Sequence, residues 1–186
     1  MATTADIRNG LVLDLDGQLM QVSYFQHVKP GKGAAFVRTK LRNVRTGAVL
    51  ERTFSSGERI QTVDLSYRQM TYSYRDGEFY HFMDLQTFDD VQLTGTLIGA
   101  AQLKYLKEGM ECTGLLHDEH VINVELPNFV ELAIVETDPG TRGDTATGGT
   151  KPARLETGAV VQVPLFVERG TVIRVDRRED KYLTRV

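Results

Sequence analysis

Two long runs of alternating residues meet at a short glycine-rich turn, and this hairpin constrains the fold more than any other feature of the chain. The runs cover residues 19–29 and 34–44, and their period of two is typical of strands. In the second run, one face carries Val37, Thr39 and Leu41, and the other carries Phe36, Arg38, Lys40 and Arg42. The sequence therefore predicts a two-stranded arm with one apolar and one cationic face.

The turn of this arm reads Lys29-Pro30-Gly31-Lys32-Gly33. Pro30 fixes one φ before the bend, and Gly31 and Gly33 allow positive φ within it. Because a glycine on each side removes side-chain bulk, the ammonium group of Lys32 is predicted to stand clear of the protein at the tip.

The arm lies in a strongly positive part of the sequence. No Asp or Glu occurs between Asp16 and Glu51, whereas the cations there are Lys29, Lys32, Arg38, Lys40, Arg42 and Arg45. Such a positive neighbourhood favours the binding of a polyanion.

The role of Lys32 itself stays open, because an ordinary solvated hairpin tip has the same pattern. Lys32 is inert, a contact residue or a target for covalent modification. A P-loop is excluded because its motif is absent, and a Schiff-base lysine is disfavoured because the tip provides no desolvation.

The rest of the chain also has the pattern of short strands, so the predicted fold class is all-β. Further strands are predicted at residues 11–15, 48–54, 67–74, 78–83, 115–116, 121–124, 130–136, 159–167 and 171–175, with turns at Asp16-Gly17 and Asp76-Gly77. The best helix candidate covers residues 100–107 and ends at Gly109.

Three compact β units are predicted at residues 1–64, 65–126 and 127–186. The polar stretch 137–151 is long for a loop, and such loops are usually functional or disordered.

Charge is segregated along the chain, although the net charge is only -3. Residues 1–64 hold 9 Lys and Arg against 6 Asp and Glu, which gives +3; residues 65–126 hold 4 against 10, which gives -6. Residues 127–186 hold 9 of each and are neutral. A nucleic-acid partner would therefore meet one face of the protein and not all of it.

Several classes of protein are disfavoured by what the sequence lacks. There is no apolar run of 18 residues and no signal-like leader, so neither a membrane helix nor secretion is expected. The single cysteine, Cys112, excludes an internal disulfide framework and a cysteine-based zinc site and favours the cytoplasm. It is predicted to be a part-buried core thiol. His117 and His120 have no obvious third metal ligand nearby.

Nothing in the sequence points to catalysis. No Ser-His-Asp or paired-carboxylate constellation stands out, so no enzyme activity, cofactor or metal is expected. An aromatic cluster, Tyr72, Tyr74, Phe79, Tyr80 and Phe82, is either a base-stacking platform or, as the period of two favours, a set of core and cross-strand pairs.

Several motifs resemble bacterial translation elongation factor P. Residues 27–38 (His-Val-Lys-Pro-Gly-Lys-Gly-Ala-Ala-Phe-Val-Arg) resemble the tip of that family's first domain. Residues 126–132 (Leu-Pro-Asn-Phe-Val-Glu-Leu) resemble the entry into its third domain, and residues 137–145 and 151–167 resemble its C-terminal signature. The motifs follow one another in the family's order, and the resemblance covers the entire chain.

The resemblance implies three β-barrel domains, the first SH3-like or KOW-like and the other two OB-like, in a tRNA-like shape. It implies binding to the ribosome between the P and E sites and relief of stalling at consecutive prolines. A monomer that does not bind membranes is expected on other grounds, because the sequence has no interface signature and no apolar run of 18 residues. The resemblance implies that Lys32, with Lys29, Pro30, Gly31 and Gly33 as its tip loop, reaches the CCA end of the P-site peptidyl-tRNA. A lysine-modifying enzyme is an implied further partner. The resemblance also implies that Gly143, Asp144 and Thr145 contact the mRNA codon in the E site, and that Tyr182 and Arg185 contact tRNA.

The chain departs from the family pattern near its end. Many members have Asp-Thr-Arg where this chain has Asp176-Arg177-Arg178, and the extra cation would change an RNA contact or only a solvated surface. The residues around the tip are closer to the branch of the family that carries an aminopentanol group on the lysine. Two rival interpretations are a general RNA-binding module and a close paralogue of elongation factor P.

Overall fold

The structure is a computed structural model that describes residues 2–140 and 149–186. Nearly all of its regular elements are strands, which confirms the predicted all-β class. The chain divides into two compact units. One unit comprises Met1–Arg68 and Gly114–Asn123, and the other comprises Gln69–Thr113 and Val124–Val186.

The first unit is built around an antiparallel sheet with the strand order β5-β4-β3-β2-β7, beside a two-stranded sheet β1-β6. Its elements are β1 (Ala2–Thr3), a 3-10 helix (Thr4–Asp6), β2 (Val12–Leu15), β3 (Gln18–Val28), β4 (Phe36–Asn43), β5 (Val49–Ser55), β6 (Arg59–Ile60) and β7 (Thr62–Val63). Strands β3 and β4 pair from Met20 opposite Asn43 to Val28 opposite Phe36, so the predicted arm is confirmed.

The alternation predicted for the arm is confirmed by burial. Val37, Thr39 and Leu41 are buried, whereas Arg38 and Lys40 on the same strand are exposed. Buried Thr39 donates its hydroxyl hydrogen to the Arg52 carbonyl oxygen at 2.7 Å, so the polar group in this face is satisfied. The apolar face packs into the core of the unit, which contains Leu13, Met20, Val22, Val37, Leu41 and Phe54.

A second sheet, with the order β10-β9-β8-β11-β12, follows in the sequence. Its strands are β8 (Ser66–Asp76), β9 (Phe79–Asp84), β10 (Asp90–Thr94), β11 (Glu111–His117) and β12 (His120–Glu125), with two short helices, α1 (Gly95–Ile98) and α2 (Ala100–Leu103), after β10. In β8 and β9, Tyr72 and Phe82 are buried and lie opposite each other, with ring centroids 5.4 Å apart. Tyr74 stacks on His81 at 4.3 Å. Tyr72 and Phe82 therefore form the core pair that the alternation favoured. Tyr74 forms a cross-strand pair with His81, whereas Tyr74 and Phe79 are exposed.

The predicted helix at residues 100–107 is wrong in length, because α2 ends at Leu103. The carbonyl oxygen of Lys104 accepts a hydrogen bond from the Thr157 hydroxyl at 2.6 Å. Tyr105 next to it is fully buried. Tertiary contacts of these two residues thus replace further helical turns, although the turn at Gly109, with φ 81°, lies where it was predicted.

The last five strands form a closed barrel in the order β13-β14-β15-β17-β16. They are β13 (Phe129–Thr137), β14 (Thr150–Leu155), β15 (Val160–Pro164), β16 (Val172–Asp176) and β17 (Lys181–Arg185). Strand β14 was missed because its Lys151-Pro152 start has the composition of a loop. In the structure Lys151 is buried, and its ammonium donates to the Asp138 carbonyl oxygen at 2.6 Å. The charged strand β17 was missed as well, and the strand predicted at 159–167 is shorter.

Cys112 is the core thiol that the sequence predicted. Its side chain is almost inaccessible, and its Sγ lies 3.7 Å from the Met70 carbonyl oxygen. Burial raises the pKa of the thiol to about 12, so Cys112 stays protonated near neutral pH and is a poor nucleophile.

A polar seam joins the residues that follow α2 to the C-terminal barrel; it consists of Lys104, Tyr105, Lys107, Glu156, Thr157 and Asp180. The Tyr105 hydroxyl donates to Asp180 at 2.6 Å, and the Lys104 ammonium lies 2.7 Å from the same carboxylate. These bonds hold the pKa of Asp180 below its ordinary value of 3.8. The Ala133 N–H and then the Lys107 ammonium likewise hold the pKa of Glu156 below 4.5.

We predict that acidification weakens this seam. Groups whose pKa is lowered by folding contribute stability that is fully present above their unfolded pKa and is lost as the pH falls through the folded pKa. The free energy of unfolding, measured in urea, should therefore decrease below about pH 4.5, the ordinary value for Glu156. Asp180→Asn should cost about 1 kcal/mol or less at neutral pH, because a charge-assisted bond becomes a neutral one, and should flatten the acid dependence.

The control for this prediction is Glu168→Gln. Glu168 is exposed, and its side chain has no partner in the part of the chain that the structure describes. This variant should leave both the stability and its pH dependence unchanged. An Asp180→Asn protein whose stability keeps the wild-type slope below pH 4.5 would contradict the role given to the seam.

Candidate functional site

The tip of the arm presents Lys32 to solvent without a partner. The loop connects the end of β3 at Val28 to the start of β4 at Phe36, and residues 29–34 are all exposed. Within residues 2–140 and 149–186, the Lys32 side chain makes neither a hydrogen bond nor an ion pair. Its ammonium group is thus available to a ligand at no cost of breaking an internal contact.

The two glycines beside Lys32 have different roles. Gly33 has a φ of 108°, which side chains of L residues rarely adopt, whereas Gly31 is not in the left-handed region. Of the two positions at which glycine allows a positive φ, the loop therefore uses only Gly33. A Cβ atom added at Gly31 would meet nothing within 4 Å, so Gly31 leaves open space beside the lysine, and Gly33 provides the bend.

The arm behind the tip is held by a continuous antiparallel ladder with one irregularity. The register shifts between Val22 and Tyr24, where Ser23 is the extra residue. The Ser23 hydroxyl donates to the Lys40 carbonyl oxygen at 3.0 Å, which ties the bulge to the neighbouring strand. Beyond the bulge the ladder is regular to Val28 and Phe36, so the position of the tip follows from the register of the arm.

The outward face of the arm combines cations with an aromatic ring. Arg38, Lys40 and Arg42 follow one another at every second position of β4 and are exposed. Tyr24, 46% exposed, lies opposite Lys40 on β3. The ion pair of Lys40 with Glu51, at 3.6 Å, lies in solvent and is worth little, so this face stays electropositive. Such a surface can bind phosphates through its cations and stack a base or sugar on the ring.

The predicted tRNA-contact residues of the C-terminal barrel both lie on β17. The Arg185 guanidinium sits 5.2 Å from the ring centroid of Phe166, and that ring is 61% exposed. Tyr182 is half-buried and lies opposite Val175 of β16. The predicted codon-contact residues Gly143, Asp144 and Thr145 lie outside the described residues.

Arg177, the residue at which the chain departs from the family pattern, has a structural role that the sequence did not reveal. Its guanidinium donates from Nε to the Pro127 carbonyl oxygen and from Nη2 to the Leu126 carbonyl oxygen, both at 2.7 Å. The side chain is only 10% exposed. It therefore clamps the segment between β12 and β13, and the interpretation of Arg177 as a solvated surface cation is wrong.

The described residues contain neither a candidate metal site nor a candidate membrane-spanning helix. Among the residues that the structure describes, no group of three His, Cys, Asp or Glu side chains is placed to hold a metal ion. His117 and His120 flank a turn in which Asp118 and Glu119 both have positive φ. None of the described helices is long and apolar enough to span a membrane.

Comparison with protein families gives three matches that lie one after another along the chain. Residues 3–60 match the family described as Elongation factor P (EF-P) KOW-like domain. Residues 65–124 match the Elongation factor P (EF-P) OB domain, and residues 130–185 match Elongation factor P, C-terminal. The KOW-like and OB barrels that the resemblance implied are thus confirmed, whereas the proposed boundaries after residues 64 and 126 stay a prediction.

Individual proteins give the same result. An Elongation factor P from Pelotomaculum thermopropionicum is 55% identical over 186 residues, with 100% of each chain covered. The Elongation factor P of Caldicellulosiruptor saccharolyticus is 52% identical over the same length and coverage. Among solved structures, "Eukaryotic translation initiation factor 5A from Methanococcus jannaschii" superposes with a TM-score of 0.53 at 19% identity, covering 68% of this chain and 90% of that chain. This structural likeness concerns the fold alone.

We predict that alanine is tolerated differently at the two tip glycines. Gly33→Ala places a side chain on a backbone at φ 108°, which costs about 1–3 kcal/mol of strain. The Cβ atom of Gly31→Ala meets open space, so this substitution should leave the free energy of unfolding nearly unchanged. Urea unfolding should therefore show a loss of stability, and NMR a shift of the amide resonances of the tip loop, only for Gly33→Ala. Equal effects of the two substitutions would contradict the conformation described for the tip.

We also predict that Arg177 stabilises the fold. Arg177→Met keeps the aliphatic length but leaves two carbonyl oxygens without their donor, which should cost about 1–3 kcal/mol of unfolding free energy. Arg169→Met is the matched control, because Arg169 is exposed and its side chain has no partner among the described residues; it should change stability by about 0.5 kcal/mol or less. If Arg177→Met left the free energy of unfolding unchanged, the clamp would contribute nothing to stability.

Proposed function

The chain belongs to the elongation factor P family, a family of translation factors and not of enzymes, and from this premise we propose how it acts on the ribosome. It binds between the P and E sites and stimulates peptide-bond formation at consecutive prolines. Lys32 does so by positioning the CCA end of the P-site peptidyl-tRNA. The observation that carries this proposal is the exposed Lys32 at the tip of the arm, whose side chain has no partner among the described residues.

The arm suits this task because it is both long and regular. Strand β3 has 11 residues, and at about 3.4 Å per residue it places the tip roughly 35 Å from the far end of the arm. Strand β4 also pairs with β5 up to Phe36 opposite Ser55, so only the tip loop extends beyond the sheet. This narrow loop can enter a crowded site while the sheet behind it stays outside. The ladder and the bulge at Ser23 restrict bending, so the ammonium group arrives with little freedom left to lose.

The chemistry requires positioning and no catalytic group on this protein. Proline reacts through a constrained secondary amine, and its fixed φ strains the nascent chain. Misplacement of the reacting ends slows the reaction, and restoring a near-attack geometry recovers much of the rate. A lysine ammonium offers three donors on a flexible stem, which suits the phosphates and hydroxyl groups of a tRNA end. The ribosome itself carries out the bond formation.

The remaining site residues extend the same interface. Arg38, Lys40 and Arg42 are proposed to neutralise phosphates along the tRNA, and Tyr182 and Arg185 of β17 to contact tRNA as well. Gly143, Asp144 and Thr145 are proposed to contact the E-site codon. The exposed Nζ atom of Lys32 is accessible to a lysine-modifying enzyme, and a longer side chain would extend its reach. We further propose that the protein acts as a monomer in the cytoplasm.

We predict that Lys32 is required for rescue of proline-dependent stalling. In an in vitro translation assay with a reporter that contains consecutive prolines, wild-type protein from its native host should relieve the stall. Lys32→Ala should lose at least about tenfold of that activity, because the positioned cation is gone. The fold should be unaffected, since the exposed side chain contributes to no core.

The control for this prediction is Lys29→Ala, which removes the same charge from the same loop but leaves the tip lysine in place. It should retain most of the rescue activity. Equal losses for Lys29→Ala and Lys32→Ala would favour a general RNA-binding module that uses the arm only for its charge. Full rescue by Lys32→Ala would contradict the proposed role of the lysine.

A further inference from the structure

Phe88 is the most exposed large apolar residue in the described part of the chain, at 72%. It lies in the loop between β9 and β10, which are paired up to Met83 opposite Asp90. Its φ is +63°, a region in which a bulky side chain is a genuine outlier. Neither the core nor the backbone of this protein gains from a phenylalanine at this position.

The conformation of this loop is fixed by hydrogen bonds. The buried Asp84 carboxylate accepts from the N–H of Gln86 at 2.8 Å and from the N–H of Thr87 at 3.1 Å. The N–H of Phe88 donates to the Asp84 carbonyl oxygen at 2.8 Å, and the N–H of Asp84 donates to the Asp89 carbonyl oxygen at 3.0 Å. The aromatic ring is therefore held outward by an ordered turn, which reduces the entropy that a partner would have to remove.

A strained, ordered and exposed aromatic residue fits a binding role better than a folding role. Backbone strain of this kind persists where the surrounding structure imposes it, and it clusters at functional positions. Glycine or asparagine would relieve the strain, since both adopt positive φ readily. Aromatic side chains are in turn the residues that most often anchor protein interfaces.

The charges around Phe88 indicate which partner it suits. Asp89 and Asp90 follow it directly and are exposed, although the Asp90 carboxylate is paired with Nδ1 of buried His81 at 2.9 Å. No Lys or Arg occurs from residue 79 to residue 103. Residues 65–126 hold 4 cations against 10 acids. Such a surface repels a phosphate backbone, so base stacking on Phe88 is disfavoured. It complements an apolar pocket that is rimmed by Lys and Arg.

We propose that the β9–β10 loop is a docking site for a basic protein surface, with Phe88 inserted into an apolar pocket and Asp89 facing a cation at its rim. This inference rests on the proposed function, because the ribosome offers two kinds of surface, RNA and basic protein. On the ribosome, the loop therefore contacts a ribosomal protein and not ribosomal RNA.

Substitutions at Phe88 separate docking from folding. Phe88→Asn removes the ring and relieves the strain, so the melting temperature should rise by about 2–4 °C, whereas affinity for purified ribosomes should fall about tenfold to a hundredfold. Phe88→Tyr keeps the ring and should bind like the wild type. The control is Val160→Ala, at another exposed apolar residue, which should change neither the melting temperature nor the affinity for ribosomes. Unchanged ribosome affinity of Phe88→Asn would overturn the proposal.

Photo-crosslinking identifies the partner. A benzophenone amino acid at position 88, in otherwise wild-type protein on purified ribosomes, should crosslink to a ribosomal protein, and Asp89→Lys should weaken binding. Crosslinking to ribosomal RNA, or tighter binding of Asp89→Lys, would overturn the proposal, and so would the absence of any crosslink from ribosome-bound protein. Wild-type protein that does not bind ribosomes at all would instead refute the proposed function, and with it this inference.

Discussion

The antiparallel ladder between β3 and β4 is the constraint on which the proposed role of Lys32 depends. It determines where the tip loop lies, and thus where the ammonium group of Lys32 can reach. On its other side β3 pairs with β2 in a hairpin closed by the turn at Asp16 and Gly17, whose φ values of 55° and 83° match the twist of a tight hairpin. Because a slip of one residue would turn Val37 and Leu41 outward, burial of these side chains fixes the register.

The distribution of charge decides which surfaces can meet RNA. The arm carries its cations on the exposed face of β4, and its only acid opposite them, Glu51, is solvated. The β9–β10 loop has the opposite character, with an exposed aromatic ring beside two acids. One molecule thus presents a surface for a polyanion and another for a polycation, and the net charge of -3 conceals both.

Local patterns predicted much of this structure, and tertiary contacts account for the rest. The arm, its turn, the paired aromatic strands and the core position of Cys112 all followed from periodicity and turn residues, because these signals act over a few residues. Helix α2 ends early since Lys104 and Tyr105 bind the C-terminal barrel, which no local pattern reveals. Strand β14 was hidden by Lys151, whose buried ammonium is satisfied by a distant carbonyl oxygen. The clamp at Arg177 is likewise a tertiary contact, and the strain at Phe88 is a backbone conformation that its residue type does not reveal.

The most direct test of the central claim is to locate the side chain of residue 32 on a working ribosome. A photoreactive lysine analogue at this position, in protein bound to a ribosome stalled at consecutive prolines, reports which molecule lies next to the tip. If the arm delivers Lys32 to the CCA end, the analogue should crosslink to the terminal nucleotides of the P-site tRNA. A crosslink only to another part of the ribosome would show that the arm does not deliver its lysine to the reacting end.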